Sequence, residues 1–120
     1  MLPFKNRLTK KKDHEKVQKL GSFVALNNIA IKSLKNDSPD TRVGVVVGLK
    51  YSKKAVERNQ VKRLIRDIVQ AELKTLDKGW DIVIMARKRA EERSGSINFK
   101  KNILEALEKG GMLLNKKPLK

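Results

Sequence analysis

The segment KYSKKAVERNQVKRLIR, residues 50–66, combines a helical apolar pattern with a high density of positive charge. Seven of its seventeen residues are Lys or Arg, and Glu57 is its one acidic residue. The apolar residues in and after it follow the i, i+3, i+4, i+7 spacing of a helix with one buried side: Val61, Leu64, Ile65, Ile68 and Val69. Ser52 is a candidate N-cap, so the pattern predicts a helix, or a bent pair, from near Lys53 to about Leu76.

The cations of this predicted helix form a ridge along one side of it. A basic residue recurs at every fourth position, namely Lys54, Arg58, Lys62 and Arg66. Like charges four apart destabilise a helix by roughly 0.2–0.5 kcal/mol per pair, and few acids are in register to offset them. A solvated face with salt-bridge partners is the usual meaning of such a run. Here the pattern favours binding to a phosphate backbone, which releases condensed counterions when it is neutralised.

The composition of the whole chain agrees with an anionic partner. The 120 residues include 29 Lys and Arg against 13 Asp and Glu, a net charge of +16, and the length suits one domain. Such a charge favours nucleic acid first and an anionic membrane surface second. The chain has no Cys, which excludes disulfides and thiolate metal sites. With no apolar run of about 20 residues and no secretory signal, a soluble cytoplasmic protein is expected.

Strands are predicted on both sides of the basic helix. RVGVVVGLK at 42–50 and WDIVIMA at 80–86 suit buried strands, and SFVAL and IAI within 22–35 predict one or two more. NDSPD at 36–40 is a turn cluster, and ARKRAEERSGS after the last strand is a polar loop. The order helix, strands, helix, strand, helix indicates a single α/β sandwich.

Two further helices and two loose ends complete the prediction. The first helix covers roughly 10–19, with Thr9 as its cap and Gly21 at its end. The last begins near Asn98, stops at Gly110 and buries four residues: Phe99, Ile103, Ala106 and Leu107. The arm at 1–8 and the tail at 112–120 are expected to be loose.

The basic helix resembles a known family signature. The pattern A-x-x-R-N-x-x-K-R-x-x-R is similar to the RNR signature of the bacterial ribonuclease P protein subunit, and its residues here are Ala55, Arg58, Asn59, Lys62, Arg63 and Arg66. NRLTKKKDHEKV, RVGVVV and KGWDIVIMAR agree with the same family in order and spacing, so the resemblance extends from about Asn6 to Leu107. The third position of the RNR triplet is Gln60, which removes one cation.

The resemblance implies a fold and a function. The fold would be α+β, ribosomal protein S5 domain 2-like, with the order αβββαβα, a four-stranded sheet and a left-handed crossover through the basic helix, against the usual hand. The protein would be the non-catalytic subunit of an endoribonuclease, whose RNA removes the 5′ leader from precursor tRNA with Mg²⁺ held mainly by the RNA. Its partners would be that catalytic RNA and the leader, with no membrane and no certain metal on the protein, which would be monomeric.

The resemblance also implies two sets of site residues and no catalytic one. The set facing the catalytic RNA would be Lys50, Lys53, Lys54, Arg58, Asn59, Gln60, Lys62, Arg63 and Arg66. A leader cleft between the first helix and the sheet would be lined by His14, Val17, Gln18, Lys32, Val45 and Val47, although a register slip of one residue reverses which strand side chains point inward.

The cleft departs from the family pattern. Family members often carry Phe at the places of His14 and Gln18 and frequently an aromatic residue at that of Lys32. Base stacking on an aromatic ring contributes about 1–3 kcal/mol. This chain is therefore expected to hold the leader more through charge and hydrogen bonds.

Two other functions remain open at the level of sequence. A structural RNA-binding protein, such as a ribosomal protein, shares the size, the charge and the helix-and-sheet plan. A nuclease acting alone is the second, but His14 is the one histidine and no carboxylate cluster accompanies it.

Overall fold

In a computed structural model, residues 3–26, 29–87 and 99–112 are described, and they form a sheet with helices on both faces. The helices and strands follow the predicted order αβββαβα: α1 Lys11–Leu20, β1 Ser22–Leu26, β2 Ile29–Lys35, β3 Arg42–Val47, α2 Ala55–Ala71, β4 Trp80–Ala86 and α3 Phe99–Lys109. Short 3₁₀ turns cover Phe4–Asn6 and Leu73–Thr75. The second turn lies within the span predicted for the end of the basic helix.

The sheet has the strand order β1-β2-β4-β3. The β1–β2 and β2–β4 pairs are antiparallel, whereas β3 and β4 are parallel. Parallel neighbours need a crossover connection, and α2 lies within it. The predicted α+β class with a four-stranded sheet is confirmed.

One face of the sheet carries the main core. Ile65 and Val69 of α2, with Ile103 and Leu107 of α3, are almost fully buried against the sheet. The sheet supplies Ile29 and Ile31 from β2, Val43 and Val47 from β3, and Ile82, Ile84 and Ala86 from β4. Each fully buried aliphatic side chain contributes about 1.5–3 kcal/mol. The predicted apolar side of the basic helix thus faces this core, with Ile65 and Val69 buried and Val61, Leu64 and Ile68 partly buried. Ala106 and Leu107 are buried as predicted, and the side chain of Phe99 is outside the described part.

Helix α1 covers part of the opposite face. Val17 packs there with Leu8 and Val83, away from the main core. An ion-pair network fixes the first turn of α1 to the sheet, because Arg42 Nη1 lies 3.2 Å from Asp13 Oδ2 and Arg42 Nη2 lies 2.7 Å from Asp81 Oδ2.

The N-terminal segment, predicted to be a loose arm at 1–8, is attached to the sheet at Arg7 and Leu8. Arg7 bridges to Val43 in parallel, Leu8 N donates to Val43 O at 3.0 Å, and Leu8 is buried. Met112, assigned to the loose tail, is also buried, and its carbonyl accepts from Asp77 N at 2.8 Å. Burial of these two apolar side chains explains why both segments dock. The rest of the tail, 113–120, and the polar loop at 88–96 are outside the described residues.

Both predicted N-caps differ from the structure. Helix α2 begins at Ala55 after Lys54, and Ser52 Oγ instead accepts from Lys54 N at 3.1 Å in a local turn. Helix α1 is preceded by Lys10, with no side-chain cap. A hydroxyl that bonds nearby backbone competes with the capping geometry, so a Ser before a helix need not be its cap.

Candidate nucleic-acid interface

The ridge of cations winds around α2 rather than lying opposite the core. Residues four apart advance by about 40° around a helix, so the ridge turns through about 120° over its length. Arg58 precedes the buried Ile65 by seven residues, close to two full turns. It is half-buried, and its Nη1 donates to Ser52 O at 3.0 Å. The sequence prediction of a fully separate basic face is therefore corrected at Arg58.

The other residues of the predicted RNA-facing set form what we call the basic surface. Its exposed members are Lys53, Lys54, Asn59, Gln60, Arg63 and Arg66, and Lys62 is half-exposed beside them. Lys50, in the turn before α2, is also exposed. Among the described residues, Arg42 forms ion pairs with Asp13 and Asp81, and neither pair involves the basic surface. No described carboxylate forms an ion pair with the basic surface, and Glu57, in the first turn of α2, accepts a hydrogen bond from Ser52 Oγ.

Asp67 lies in the second half of α2, and Glu72 directly follows the helix. Neither forms an ion pair with a described residue, and Glu72 Oε1 accepts instead from Thr75 Oγ1 at 3.1 Å.

The sheet face beneath α1 includes two adjacent rows of side chains set by the strand register. One row crosses the four strands as Gly44, Val83, Lys32 and Phe23. The next crosses as Val46, Met85, Ala30 and Ala25. The first row is partly covered by α1, where Val17 contacts Val83. In the second row, Val46 is 39% exposed and Met85 is half-buried. We call the open part of this face beside α1, over both rows, the groove.

His14 occupies one end of the groove. Its Nε2 lies 2.7 Å from the carbonyl oxygen of Leu8, which can only accept, so Nε2 carries the proton and donates. Its ring lies against Gly44, where an added Cβ would be 2.5 Å from His14 Cε1. Nδ1 has no hydrogen-bond partner among the described residues and is not enclosed. In the neutral imidazole this atom is an acceptor open to a ligand.

Gln18 and Lys32 continue the groove one turn further along α1. Gln18 is exposed, and its Nε2 lies 3.8 Å from Met85 Sδ, a weak contact. Lys32 Nζ donates to Gln18 O at 2.8 Å. A cation at the carbonyl end of a helix is favourable because it offsets the negative pole of the helix dipole.

Three of the predicted cleft residues are placed differently. Val17 is 0% exposed because it lies on the side of α1 that packs against the sheet, so it cannot contact a ligand in the groove. Val47 is buried in the main core, and Val45 packs against the same core. The strand residue that faces the groove is Val46, one position away, as expected when a face assignment slips by a single residue. His14, Gln18 and Lys32 do lie along the groove.

Arg42 holds α1 in place over the sheet. Its Nε and Nη2 donate to the two carboxylate oxygens of the buried Asp81 at 2.9 and 2.7 Å, and Asn36 Nδ2 also donates to Asp81 Oδ1 at 2.7 Å. The hydrogen bonds to Asp81, with the charges of Asp81 and Asp13, raise the pKa of Arg42 against the opposing effect of burial. The bidentate geometry restricts rotation of the guanidinium and so positions the first turn of α1.

A cavity of about 320 Å³ joins the groove to the basic helix. Its lining comes from the N-terminal segment, α1, β3 and α2, and consists of Arg7, Leu8, Thr9, His14, Val43, Gly44, Val45 and Arg66. Val45 contributes here at the edge of β3 and not in the groove. Arg66 of the basic surface and His14 of the groove thus line one continuous concavity.

Two negative findings apply to the described residues alone. In those ranges no group of three His, Cys, Asp or Glu side chains could hold a metal ion. Nor does any helix there have the length and hydropathy to cross a membrane. The expectation that Mg²⁺ is held by RNA stays a prediction.

Sequence reasoning missed four residues of this region: Arg7, Phe23, Val46 and Met85. The period-2 alternation of the strands did show that Val46 differs in side from Val45 and Val47. It carried no information on which side α1 would cover. Arg7 was missed because the N-terminal segment was taken as loose.

An uncompensated basic helix joined to an open groove on a four-stranded α+β sheet defines a class of small proteins suited to polyanionic ligands. Comparison with known proteins agrees with that class. The family model for ribonuclease P matches residues 2–110. A ribonuclease P protein component from Picosynechococcus is 35% identical over 91 residues, which cover 76% of this chain and 78% of that protein. One from Streptococcus pneumoniae is 35% identical over 102 residues, covering 85% and 81%.

Solved structures give the same result. The ribonuclease P protein from Thermotoga maritima superimposes with a TM-score of 0.76 at 29% identity, covering 86% of this chain and 96% of that one. The protein from Staphylococcus aureus gives 0.77 at 25% identity, covering 100% and 99%. The chain belongs to the ribonuclease P protein family, the protein components of the ribonucleoprotein endonuclease that processes the 5′ leader of precursor tRNA. It therefore works with the ribonuclease P RNA, and the ribosomal protein alternative is not supported.

Proposed function

We propose that the basic surface binds the catalytic RNA of ribonuclease P while the groove holds the 5′ leader of precursor tRNA. The observation that carries this proposal is the shared cavity, in which Arg66 of the basic surface and His14 of the groove both take part. An RNA bound along α2 and a strand entering the groove would meet at this cavity. The protein then extends the substrate site without taking part in bond cleavage.

The electrostatic part of the mechanism rests on the basic surface. Its exposed cations have no carboxylate partner among the described residues, so they are available to phosphates. Each phosphate neutralised releases condensed counterions, which makes binding favourable and dependent on salt. Asn59 and Gln60, both exposed, add hydrogen-bond donors and acceptors for sugar or base edges.

The geometric part rests on the groove. His14 is fixed by Leu8 O and Gly44, and Lys32 is fixed by Gln18 O, so few side chains must be ordered when RNA binds. Preorganisation of this kind lowers the entropic cost of binding. Mg²⁺ supplies the hydrolytic chemistry when it is bound by the RNA, and the protein assists by restricting the position of the leader relative to the cleavage site.

Reconstitution tests the proposal. The protein is added to limiting catalytic RNA at low Mg²⁺, with precursor tRNA substrates that carry a leader or a single leader nucleotide. We expect faster leader removal than with RNA alone, and a larger gain for the long leader. An equal gain on both substrates would exclude the groove as the leader site, and no gain would exclude the assignment of both surfaces.

A second arm concerns catalysis by the protein itself. Incubation of the protein with precursor tRNA and Mg²⁺, without catalytic RNA, is expected to give no site-specific cleavage. Cleavage at the mature 5′ end under these conditions would show a nuclease centre on the protein. A monomeric free protein and a cytoplasmic location are further parts of the proposal.

A further inference from the structure

Phe23 is an exposed aromatic residue at the far end of the groove. It is 57% exposed, although its neighbours Val24 and Leu26 on β1 pack against the main core. Strand alternation therefore places Phe23 on the same sheet face as α1. Phe23 is thus an accessible aromatic ring beside the groove, in a chain with only 4% aromatic residues, and such a ring is a surface on which a nucleobase can stack.

The surroundings of Phe23 are basic. Lys32 lies directly opposite it in the antiparallel register, and Lys32 Nζ is 5.9 Å from the centre of its ring. The same ammonium donates to Gln18 O at 2.8 Å, which holds it between the end of α1 and the Phe23 ring. Lys19 adds a further exposed cation in the last turn of α1. An aromatic face beside fixed cations suits a nucleobase joined to a phosphate.

The strand register gives the order in which a bound strand would meet these residues. Gly44, beneath His14, is three strands away from Phe23 along one row of the sheet. With strands about 4.8 Å apart, the two ends of the groove are separated by about 14 Å. His14 shares a cavity with Arg66 of the basic surface, whereas Phe23 lies on β1, at the opposite edge of the sheet.

We propose that Phe23 stacks on a leader nucleobase distal to the cleavage site, while Lys32 contacts the adjoining phosphate. The proposal rests on the assignment of the groove to the leader and adds a base-stacking position to it. It also supplies an aromatic contact in a groove whose α1 side carries His14 and Gln18. The contact depends on leader length, because a short leader reaches His14 but not Phe23.

The experiment uses the holoenzyme reconstituted with its catalytic RNA and a series of precursor tRNAs whose leaders are shortened from the 5′ end. Affinity is measured for wild type, Phe23→Ala, Phe23→Leu, Phe23→Trp and His14→Ala. On long leaders, Phe23→Ala and Phe23→Leu are expected to bind about fivefold or more weakly, and Phe23→Trp to match wild type. Below a threshold length the Phe23→Ala loss disappears, while the His14→Ala loss persists to shorter leaders.

Leu49→Ala is the matched control, because Leu49 is 68% exposed and lies in the turn after β3, outside the groove. It is expected to show no effect that depends on leader length. Melting of each variant checks the fold, and sedimentation of the free protein checks self-association. 2-Aminopurine placed at successive leader positions locates the stacked base, whose fluorescence should rise in Phe23→Ala at distal positions.

The contradictory outcomes are distinct. If Phe23→Ala matches wild type at every length while His14→Ala still loses affinity, the stacking proposal is wrong and the groove assignment stands. If affinity of the wild type does not depend on leader length, the groove assignment itself is wrong. A Phe23→Leu variant equal to wild type would indicate simple apolar contact. A dimer that Phe23→Ala converts to a monomer would show that a second copy covers the patch.

Discussion

His14 and Gly44 form a side-chain-to-backbone contact that only glycine permits: a methyl group on Gly44 would lie 2.5 Å from Cε1 and 2.9 Å from Nε2 of the imidazole. The same Nε2 donates to Leu8 O at 2.7 Å. The ring is therefore held between β3 and the N-terminal segment. One position links the edge of the sheet, the docked segment and the groove.

Gly44→Ala should displace the His14 ring and break its bond to Leu8 O. A net loss of about 1 kcal/mol in unfolding free energy is expected from that hydrogen bond. Leader-dependent affinity should fall as it does in His14→Ala. The measurement is a double-mutant cycle. In the His14→Ala background, Gly44→Ala should cause little further loss of stability or affinity, because no imidazole remains for the added methyl group to clash with. Additive losses would mean that Gly44 acts through the backbone and not through His14.

Gly21→Ala should destabilise the fold through a close approach of two backbones. A Cβ at Gly21 would lie 2.6 Å from Val17 O and 2.8 Å from Ser33 O, and neither carbonyl can rotate away. Overpacking of this kind costs about 1–3 kcal/mol, measured by denaturant unfolding. Gly48→Ala is the control, since nothing lies within 4 Å of its added Cβ. Equal stability of the two variants would contradict the approach of α1 to β2 seen here.

Arg42→Met should destabilise the protein by about 3 kcal/mol, because the buried Asp81 loses its charged partner. Asp81→Asn in the Arg42→Met background should recover part of the loss, since it removes the uncompensated charge. No recovery would show that Arg42 stabilises through packing of its side chain instead. Thermal or denaturant unfolding measures both effects.

The pH dependence of the same variant follows from the direction of the pKa shift. The pKa of Arg42 is raised in the folded state, mainly by its hydrogen bonds to Asp81. Its contribution to the free energy of unfolding is fully present below the unfolded-state pKa of Arg42 and is lost only as the pH rises through the folded-state pKa. The stability difference between wild type and Arg42→Met should therefore be constant from about pH 6 to 9. A difference that falls steadily over this range would point to another titrating group.

Arg63→Ala combined with Arg66→Ala should weaken binding of the catalytic RNA and leave the melting temperature unchanged, as both side chains are exposed. The slope of log affinity against log salt should become shallower by up to about 0.7–0.9 for each lost phosphate contact. Lys100→Ala with Lys101→Ala is the charge-matched control on exposed positions of α3. Equal losses in the two double variants would indicate a diffuse charge effect in place of a defined surface. Arg58 is less suitable for this test because its side chain also donates to Ser52 O.

Much of the fold could be predicted because its signals are local. The Val-rich run at 42–50 and the run at 80–86 became β3 and β4, and the helical stripe around Ile65 became the buried side of α2. The cation spacing on the basic helix was equally plain. Helix starts were less accurate, because Ser52 forms a local turn and does not cap α2.

The sequence by itself determined the helices, the strands and which residues alternate in side along each strand, since backbone periodicity is a property of neighbouring residues. Only the tertiary structure decided that α1 packs on the sheet face to which Val46 belongs, that Leu8 docks on β3, and that Arg66 and His14 line one cavity. These relationships join segments that are far apart in the chain. They depend on how helices cross the sheet, and no local periodicity specifies which face is covered.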